Sequence, residues 1–533
     1  MPRRSLVVLA FASLILSASR ASAQVERRTP AKPRLVVHLS VDQLRPDYLE
    51  VYGPQFTAGL ARLLRGGAYF PNGYQDHAVT ETAPGHSTMM SGRFPRSTGI
   101  VENDRGVLDT ESPLIAGARG EPASPYRFRG STLGDWMRFA DSRARLLSVS
   151  RKDRAAILPL GRAKGEAYWY APLSGFFTTS LWYADTLPSW VQRFNARKVP
   201  QSYVGKQWNL LLPAASYTEP DSNPLEAAGN GYLFPHTFPD DVQKAALLLI
   251  YTPMMDELTA QLALEGVTAR ELGAMPGRTD FLAVSFSSTD AVGHKYGPDS
   301  REQHDQMLRL DRTLGVFIDS LYKLRDSSTI VFSLTADHGV APFPDSGFTS
   351  RYRKEPAGRT SLRPVARALY DALARAGVDS AGYREDVGVL YLDSLVFARA
   401  RVNRDSVARA YVVAMSKVEG VLRADLFADL ARSDTTRDVI ARRWLHMYPP
   451  DLPVMAVVTL KPFWSWRGVP TANHGTPHDY DARVPVLFYG AGIRPGFSND
   501  TVLVVDIAPT LAALLEIRPE EKLDGHVLTR VIR

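Results

Sequence analysis

"RLVVHLSVD", Arg34–Asp42, is the stretch on which the fold turns. Its run from Leu35 to Val41 is mostly apolar, rich in β-branched residues, and stops at an acidic residue. A short continuous apolar run of this kind suits a strand buried on both faces. Working outward, a helical segment follows at "TAGLARLLRGG", ended by Gly66 and Gly67. Further buried-strand candidates are "ARLLSVS" (Ala144–Ser150), "FLAVSF" (Phe281–Phe286), "TIVFSLT" (Thr329–Thr335) and "VPVLFYG" (Val484–Gly490). Helical patterns lie between them, one of them running from Asp240 to Gly266. Strands alternating with helices predict an α/β fold, a mainly parallel sheet flanked by helices. Two segments break the rhythm. Residues 168–239 are rich in Trp, Tyr, Phe, Pro and Asn and read as a loop-rich insertion. Residues 340–470 carry their own strand, helix and strand and read as a small α+β insertion.

The bulk composition is that of a globular chain, with 45% hydrophobic and 22% charged residues in 533. The first 23 residues read differently. Arg3 and Arg4 precede the apolar run Leu6–Leu16, and "ASA" (Ala21–Ala23) follows, the pattern of a signal peptide cut before Gln24. The run is short for an anchor helix. Residues 24–33 form a polar tail, and the domain is expected over 34–533. These features predict an exported protein, periplasmic or secreted, without a transmembrane segment in the mature chain. There is no cysteine, so disulfides and thiolate ligands are excluded, and any metal must bind through imidazole or oxygen. The formal charge is +7, and the signal holds three of the arginines. The balance is too mild to imply a nucleic-acid partner.

In open α/β sheets, ligands gather beyond the carboxyl ends of the strands. Asp42 follows the first strand, Asp290 and His294 follow "FLAVSF", Asp337 and His338 follow "TIVFSLT", and Lys152, Asp153 and Arg154 follow "ARLLSVS". "NHGTPHD" adds His474 beside a glycine. Each alone has a plainer reading as a cap, a turn or a surface pair. Together, three aspartates at one strand edge repel one another unless cations counter them. Asp42, Asp290, Asp337, His294, His338 and His474 supply six ligands, enough for two sites of three. Oxygen and imidazole donors suit zinc, with manganese or iron also compatible.

The set "SVDQLRPD", "TETAPGHSTMMSG", "STDAVGH", "TADHG" and "NHGTPHD" resembles the alkaline phosphatase superfamily, in order from about Leu35 to Leu528. The resemblance implies two zinc ions, one held by Asp290, His294 and His474, the other by Asp42, Asp337 and His338. It also implies that Thr82, in Thr82-Ala83-Pro84-Gly85-His86, is the nucleophile. Pro84 fits a first helical turn, with the helix running to about Ser91. Thr82 is expected at its N-cap, where negative charge is favoured. Thr80 and His86 are read as structural, and His77 and His478 have no assigned role.

Within the superfamily, Asn103 and the Lys152-x-Arg154 pair resemble the phosphate-irrepressible alkaline phosphatases, in which such residues hold the phosphoryl oxygens. The expected activity is that of an exported zinc phosphomonoesterase acting on small phosphate esters through phosphothreonine. Extra cations favour a dianionic monoester over a diester. The alternative is a nucleotide pyrophosphatase or phosphodiesterase, which shares Thr82, Asn103 and the six ligands. A remoter one is a silent binding protein on the same scaffold. Sulfatases are set aside, because the chain has no cysteine and no arginine after Pro84 in that motif. The tryptophans of the first insertion, Trp169, Trp182, Trp190 and Trp208, are read mostly as core packing.

Overall fold

Strand β1 (Leu35–Val41) is buried along its whole length, as its apolar run predicts. The computed structural model describes residues 32–344, 357–468 and 472–533. The expected signal and most of the polar tail lie outside those residues. Around β1 stand β2 (Ala68–Tyr74), β3 (Leu146–Ser150), β4 (Glu166–Ala171), β5 (Phe176–Thr178), β6 (Asp280–Phe286) and β7 (Ile330–Thr335). A second group follows: β8 (Tyr383–Asp386), β9 (Val389–Leu392), β10 (Val421–Leu426) and β11 (Val454–Leu460). Then come β12 (Arg483–Gly490), β13 (Gly496–Phe497) and β14 (Val502–Leu503). The central sheet has the order β13-β2-β12-β7-β1-β6-β3-β4-β5, with β14 also on β2.

At its centre, β7, β1, β6, β3 and β4 are all parallel, and β12 and β5 run antiparallel to their neighbours. The register is flush. Val41 lies opposite Phe286, Ser40 opposite Thr335, and Ser150 opposite Ser285. Four adjacent strands therefore end at one level, which carries the residues just past those ends to a single edge.

The helices that matter are α1 (Gly59–Gly66), α2 (Thr82–Met89), α3 (Met254–Ala269), α4 (Ser288–Tyr296), α5 (Arg301–Leu324), α6 (Arg363–Arg375), α7 (Arg404–Met415) and α8 (Ile507–Leu514). Helices α1, α3 and α4 pack on α5. A Cβ on Gly59 would stand 2.4 Å from the Gly315 nitrogen, so α1 and α5 need a glycine there to approach. Along β1 alternate side chains take opposite faces. His38 meets Met89 Sδ at 3.3 Å and Ser40 meets His86, which places α2 over that face.

Three expectations change. The pattern over Asp240–Gly266 is not one helix. It breaks after Val242–Leu248 and restarts at Met254, because Pro253 lacks the N–H a continuous helix needs. Helix α2 ends at Met89 rather than near Ser91. The loop-rich segment from 168 begins inside β4, and with β5 it extends the central sheet. Trp169, Trp190 and Trp208 are buried, whereas Trp182 is 40% exposed. In the later segment β8-β9-β11-β10 form a separate antiparallel sheet with α6 and α7 over its own apolar cluster. A further cluster, including Ala78, Val389, Trp444, Tyr448 and Val457, joins that unit to the strand-to-helix segment before α2.

Candidate metal centre and nucleophile

Because β7, β1, β6 and β3 lie side by side, the residues beyond their ends appear in that spatial order: Asp337 and His338, Asp42, Asp290 and His294, then Lys152. His474 comes in from the loop before β12. Among the described residues, two groups of three could hold a metal: Asp290, His294 and His474, and Asp42, Asp337 and His338, each with ligand atoms within 4.8 Å of one another.

The donor chemistry fits a cation at each. His294 Nδ1 donates to the Ala472 carbonyl at 2.8 Å, His474 Nδ1 to the Thr80 carbonyl at 2.8 Å, and His338 Nδ1 to the Gly339 carbonyl at 2.9 Å. An imidazole that donates through Nδ1 turns a lone pair outward at Nε2. His294 Nε2 and His474 Nε2 then face each other at 3.1 Å, with Asp290 Oδ1 3.1 Å from the former. In the second group His338 Nε2 is buried without a hydrogen-bond partner among the described residues, 3.4 Å from Asp42 Oδ1 and 3.5 Å from Asp337 Oδ2. Electron-rich atoms gathered this closely repel unless a cation lies among them.

Lys152 supplies one positive charge. Its Nζ lies 2.5 Å from Asp42 Oδ2 and 2.7 Å from Asp290 Oδ2, bridging the two groups, and donates to Thr82 Oγ1 at 3.0 Å. The carboxylates divide accordingly. Burial, then the charges of Asp290 and Asp337, push Asp42 up. Burial also opposes ionisation of Asp290, but Lys152 and the imidazoles outweigh it and hold that carboxyl well below the usual range. His474 is half-buried, which opposes its charged form, yet the Asp290 carboxylate raises it to about 8.

Thr82 is 1% exposed and is the first residue of α2. The N-cap is Glu81, which makes no side-chain cap. The expectation of Thr82 as N-cap is corrected by one position: Glu81 is extended and the helical turn begins at Thr82 itself. The cap comes from elsewhere, as Asn103 Oδ1 accepts from the Ala83 N–H at 2.8 Å. Asn103, Lys152, Arg154 and Thr82 line one cavity of 430 Å³ with Trp169 and His474.

Several further residues support the two groups, and of these Gln43 escapes sequence reading. Gln43 is fully buried with a left-handed backbone, φ 67°, unusual for a residue with a side chain. Its N–H donates to Asp337 Oδ1 at 3.1 Å and its Nε2 to Asp290 Oδ1 at 2.9 Å, so one residue touches both groups. A Cβ on Gly293 would stand 1.9 Å from Gln43 Oε1. His86 Nδ1 lies 3.0 Å from the Thr82 carbonyl and 3.2 Å from Asp337 Oδ2, tying α2 to that carboxylate. Thr80 donates its hydroxyl to the Thr476 carbonyl at 2.9 Å, fixing the loop that carries His474. His478 anchors the same loop on the Leu460 carbonyl at 2.8 Å. His77 is buried, and burial lowers it to about 3. Gln43 carries the one sequence signal that could have been followed, since it directly follows Asp42 at a strand end.

The chain is similar to known proteins over most of its length. Residues 36–353 match the family described as type I phosphodiesterase / nucleotide pyrophosphatase. Alkaline phosphatase PhoV of Synechococcus elongatus is 32% identical over 549 residues, covering 99% of this chain and 98% of its own. Alkaline phosphatase PafA of Elizabethkingia meningoseptica is 32% identical over 528 residues, covering 94% and 95%. The crystal structure of wild-type alkaline phosphatase PafA superposes with a TM-score of 0.85 at 30% identity, covering 94% of this chain and 99% of that one.

Proposed function

Because the chain belongs to the type I phosphodiesterase / nucleotide pyrophosphatase family and, within it, to the alkaline phosphatases, hydrolases of phosphoric monoesters, we propose that it is an exported zinc enzyme working through phosphothreonine at Thr82. The observation that carries this reading is the position of Thr82 Oγ1, 3.0 Å from a lysine that bridges two ligand-rich triads.

Asp290, His294 and His474 would hold one ion and Asp42, Asp337 and His338 the other. Zinc so held would lower the pKa of an oxygen donor toward about 7 and would neutralise charge on the reacting phosphoryl group. In the first displacement Thr82 Oγ bonds to phosphorus and the ester P–O bond breaks, releasing the alcohol. In the second, water bonds to phosphorus and the Thr82 Oγ–P bond breaks, releasing orthophosphate. Lys152, Arg154 and the Asn103 amide line the cavity and grip the remaining phosphoryl oxygens. The Asn103 Oδ1 bond to the Ala83 N–H leaves its Nδ2 for that task. The dianion of a monoester gains more from Lys152 and Arg154 than a diester does. Gln43 and His86 keep both triads and α2 in fixed relation.

No described helix is long and apolar enough to cross a membrane. Export rests on the basic, apolar and small-residue pattern of the first 23 residues.

The test is labelling with a radioactive phosphate ester after metal analysis. The wild type, carrying two zinc ions, traps label as phosphothreonine, and Thr82→Ala does not. Phosphothreonine that persists at another residue in Thr82→Ala refutes the assignment. Faster turnover of bis-p-nitrophenyl phosphate than of p-nitrophenyl phosphate refutes the role given to Lys152 and Arg154.

A further inference from the structure

A second cleft, of 860 Å³, opens where the small β8–β11 unit meets the main body. Five arginines line it: Arg105, Arg127, Arg129, Arg162 and Arg384, against the carboxylates of Glu102 and Asp393. Two of the five are already paired. Arg129 makes a bidentate bridge to Asp451 at 2.7 and 2.8 Å. Arg384 reaches Glu102 and Asp386, each at 3.1 Å. Of the other three, Arg105 and Arg127 lie near carboxylates without a close bidentate pair, and Arg162 stands apart. Arg127 donates to the Leu108 carbonyl and lies 4.2 Å over the Tyr126 ring. Arg105 comes no nearer than 3.6 Å to Glu102, which Arg384 already holds. Arg162 is exposed and, among the described residues, has no carboxylate within 4.0 Å. Five guanidinium groups against two carboxylates give the lining of this concavity an excess of positive charge. Planar guanidinium forks match phosphate oxygens better than any other side chain does.

The cleft adjoins the catalytic side. Val101, Glu102 and Tyr391 line both it and the cavity beside His294 and His474. The short turn Asn103–Gly106 spans the gap. Asn103 lines the nucleophile's cavity, and Arg105 and Gly106 line the cleft. That turn is on the order of 5 Å along its axis.

We infer that this cleft is a subsite for the distal phosphates of an oligophosphate chain whose terminal phosphoryl group lies at Thr82. The inference rests on the catalytic reading above and extends it to a substrate class. Thr82 Oγ loses its proton to water and bonds to the terminal phosphorus, and the bridging P–O bond breaks. The shortened oligophosphate leaves with the electron pair and takes up a proton from water. Water then cleaves the phosphothreonine to orthophosphate.

The experiment compares wild type, R162E and the triple variant R105Q/R127Q/R162Q on p-nitrophenyl phosphate, tripolyphosphate and ATP. A charge-assisted hydrogen bond contributes roughly a factor of ten. KM for tripolyphosphate should therefore rise about tenfold in R162E and further in the triple variant. kcat/KM for p-nitrophenyl phosphate should stay within about twofold of wild type. If KM for ATP rises in step, the cleft takes the phosphate tail of nucleotides as well. If only tripolyphosphate responds, the chain it takes is inorganic. Unchanged KM for tripolyphosphate in both variants overturns the inference, as does a parallel loss on p-nitrophenyl phosphate in R162E. Calorimetric binding of tripolyphosphate separates this failure from failure of the catalytic reading. A wild type that turns over no substrate but binds tripolyphosphate about tenfold more tightly than R162E keeps the subsite and refutes the catalysis. Equal binding by both refutes the subsite.

Discussion

Gly85→Ala sets a local preference against a tertiary one. Gly85 lies inside α2, where alanine should be better by about 1 kcal/mol on helix propensity alone. Its backbone is not left-handed, so no conformational strain opposes the change. The obstacle is packing. A Cβ at Gly85 would stand 2.3 Å from the Asp337 carbonyl oxygen, 2.7 Å from its Cβ and 2.8 Å from its carbonyl carbon. Ordinary carbon contacts are ~3.5–4.0 Å, so the overlap is about 1 Å. All three atoms belong to a proposed metal ligand, and none is the free end of a flexible side chain. Relief requires α2 and Asp337 to part by about that amount. Overpacking of this kind costs about 1–3 kcal/mol, and a misplacement of ~1 Å at a reacting centre costs about 10²-fold in rate. The expected outcome is a lower melting temperature, weaker zinc binding by calorimetry and kcat/KM on p-nitrophenyl phosphate down about 10²-fold. Gly293→Ala is the graded control, since its Cβ meets only the side-chain amide of Gln43 and no backbone atom. Gly53→Ala is the blank, with nothing within 4 Å. A Gly85→Ala enzyme as stable, as well metallated and as active as the Gly53→Ala enzyme would refute the reasoning.

Other outcomes follow from the same geometry. Lys152→Ala should lower monoester kcat/KM by about 10²–10³-fold, the usual effect of removing one charge-stabilising donor, with a smaller loss on a diester; equal losses on both would remove Lys152 from monoester selection. Gln43→Ala frees both triads, and should weaken zinc binding at the two sites together, with kcat falling more than KM rises; loss at one site only would refute its bridging role. Asp76 is buried, which opposes ionisation, but His446, Arg442 and Arg443 outweigh burial and hold its carboxyl well below the usual range. Its stabilisation is therefore present above the unfolded carboxyl pKa of about 3.9 and is lost as pH falls further. Asp76→Asn should cost about 3–5 kcal/mol at neutral pH and flatten the acid limb of thermal stability; an unaltered acid limb would contradict this.

The legibility of this protein divides along one physical line. Strands that are buried on both faces are mostly apolar, so Leu35–Val41, Phe281–Phe286 and Thr329–Thr335 stood out in the sequence, and the charged residues that end them stood out by contrast. The donor chemistry of three aspartates and three histidines was visible for the same reason: no other common role gathers such groups at strand ends. Local rules failed where a distant partner intervened. Helix α2 takes its cap from Asn103 rather than from its own first residues, so Thr82 lies one position further into the helix than capping preferences predict. Gln43 adopts a backbone conformation its residue type disfavours, because two carboxylates from different strands receive its donors. The arginines of the second cleft come from segments almost three hundred residues apart, and they share one concavity only once the small sheet is docked. Sequence alone determined which groups are present and which strands carry them, since burial and ligand chemistry are properties of residue type. Only the tertiary structure decided which groups meet, because register, helix capping and unpaired charge are relations between residues that the chain order keeps apart.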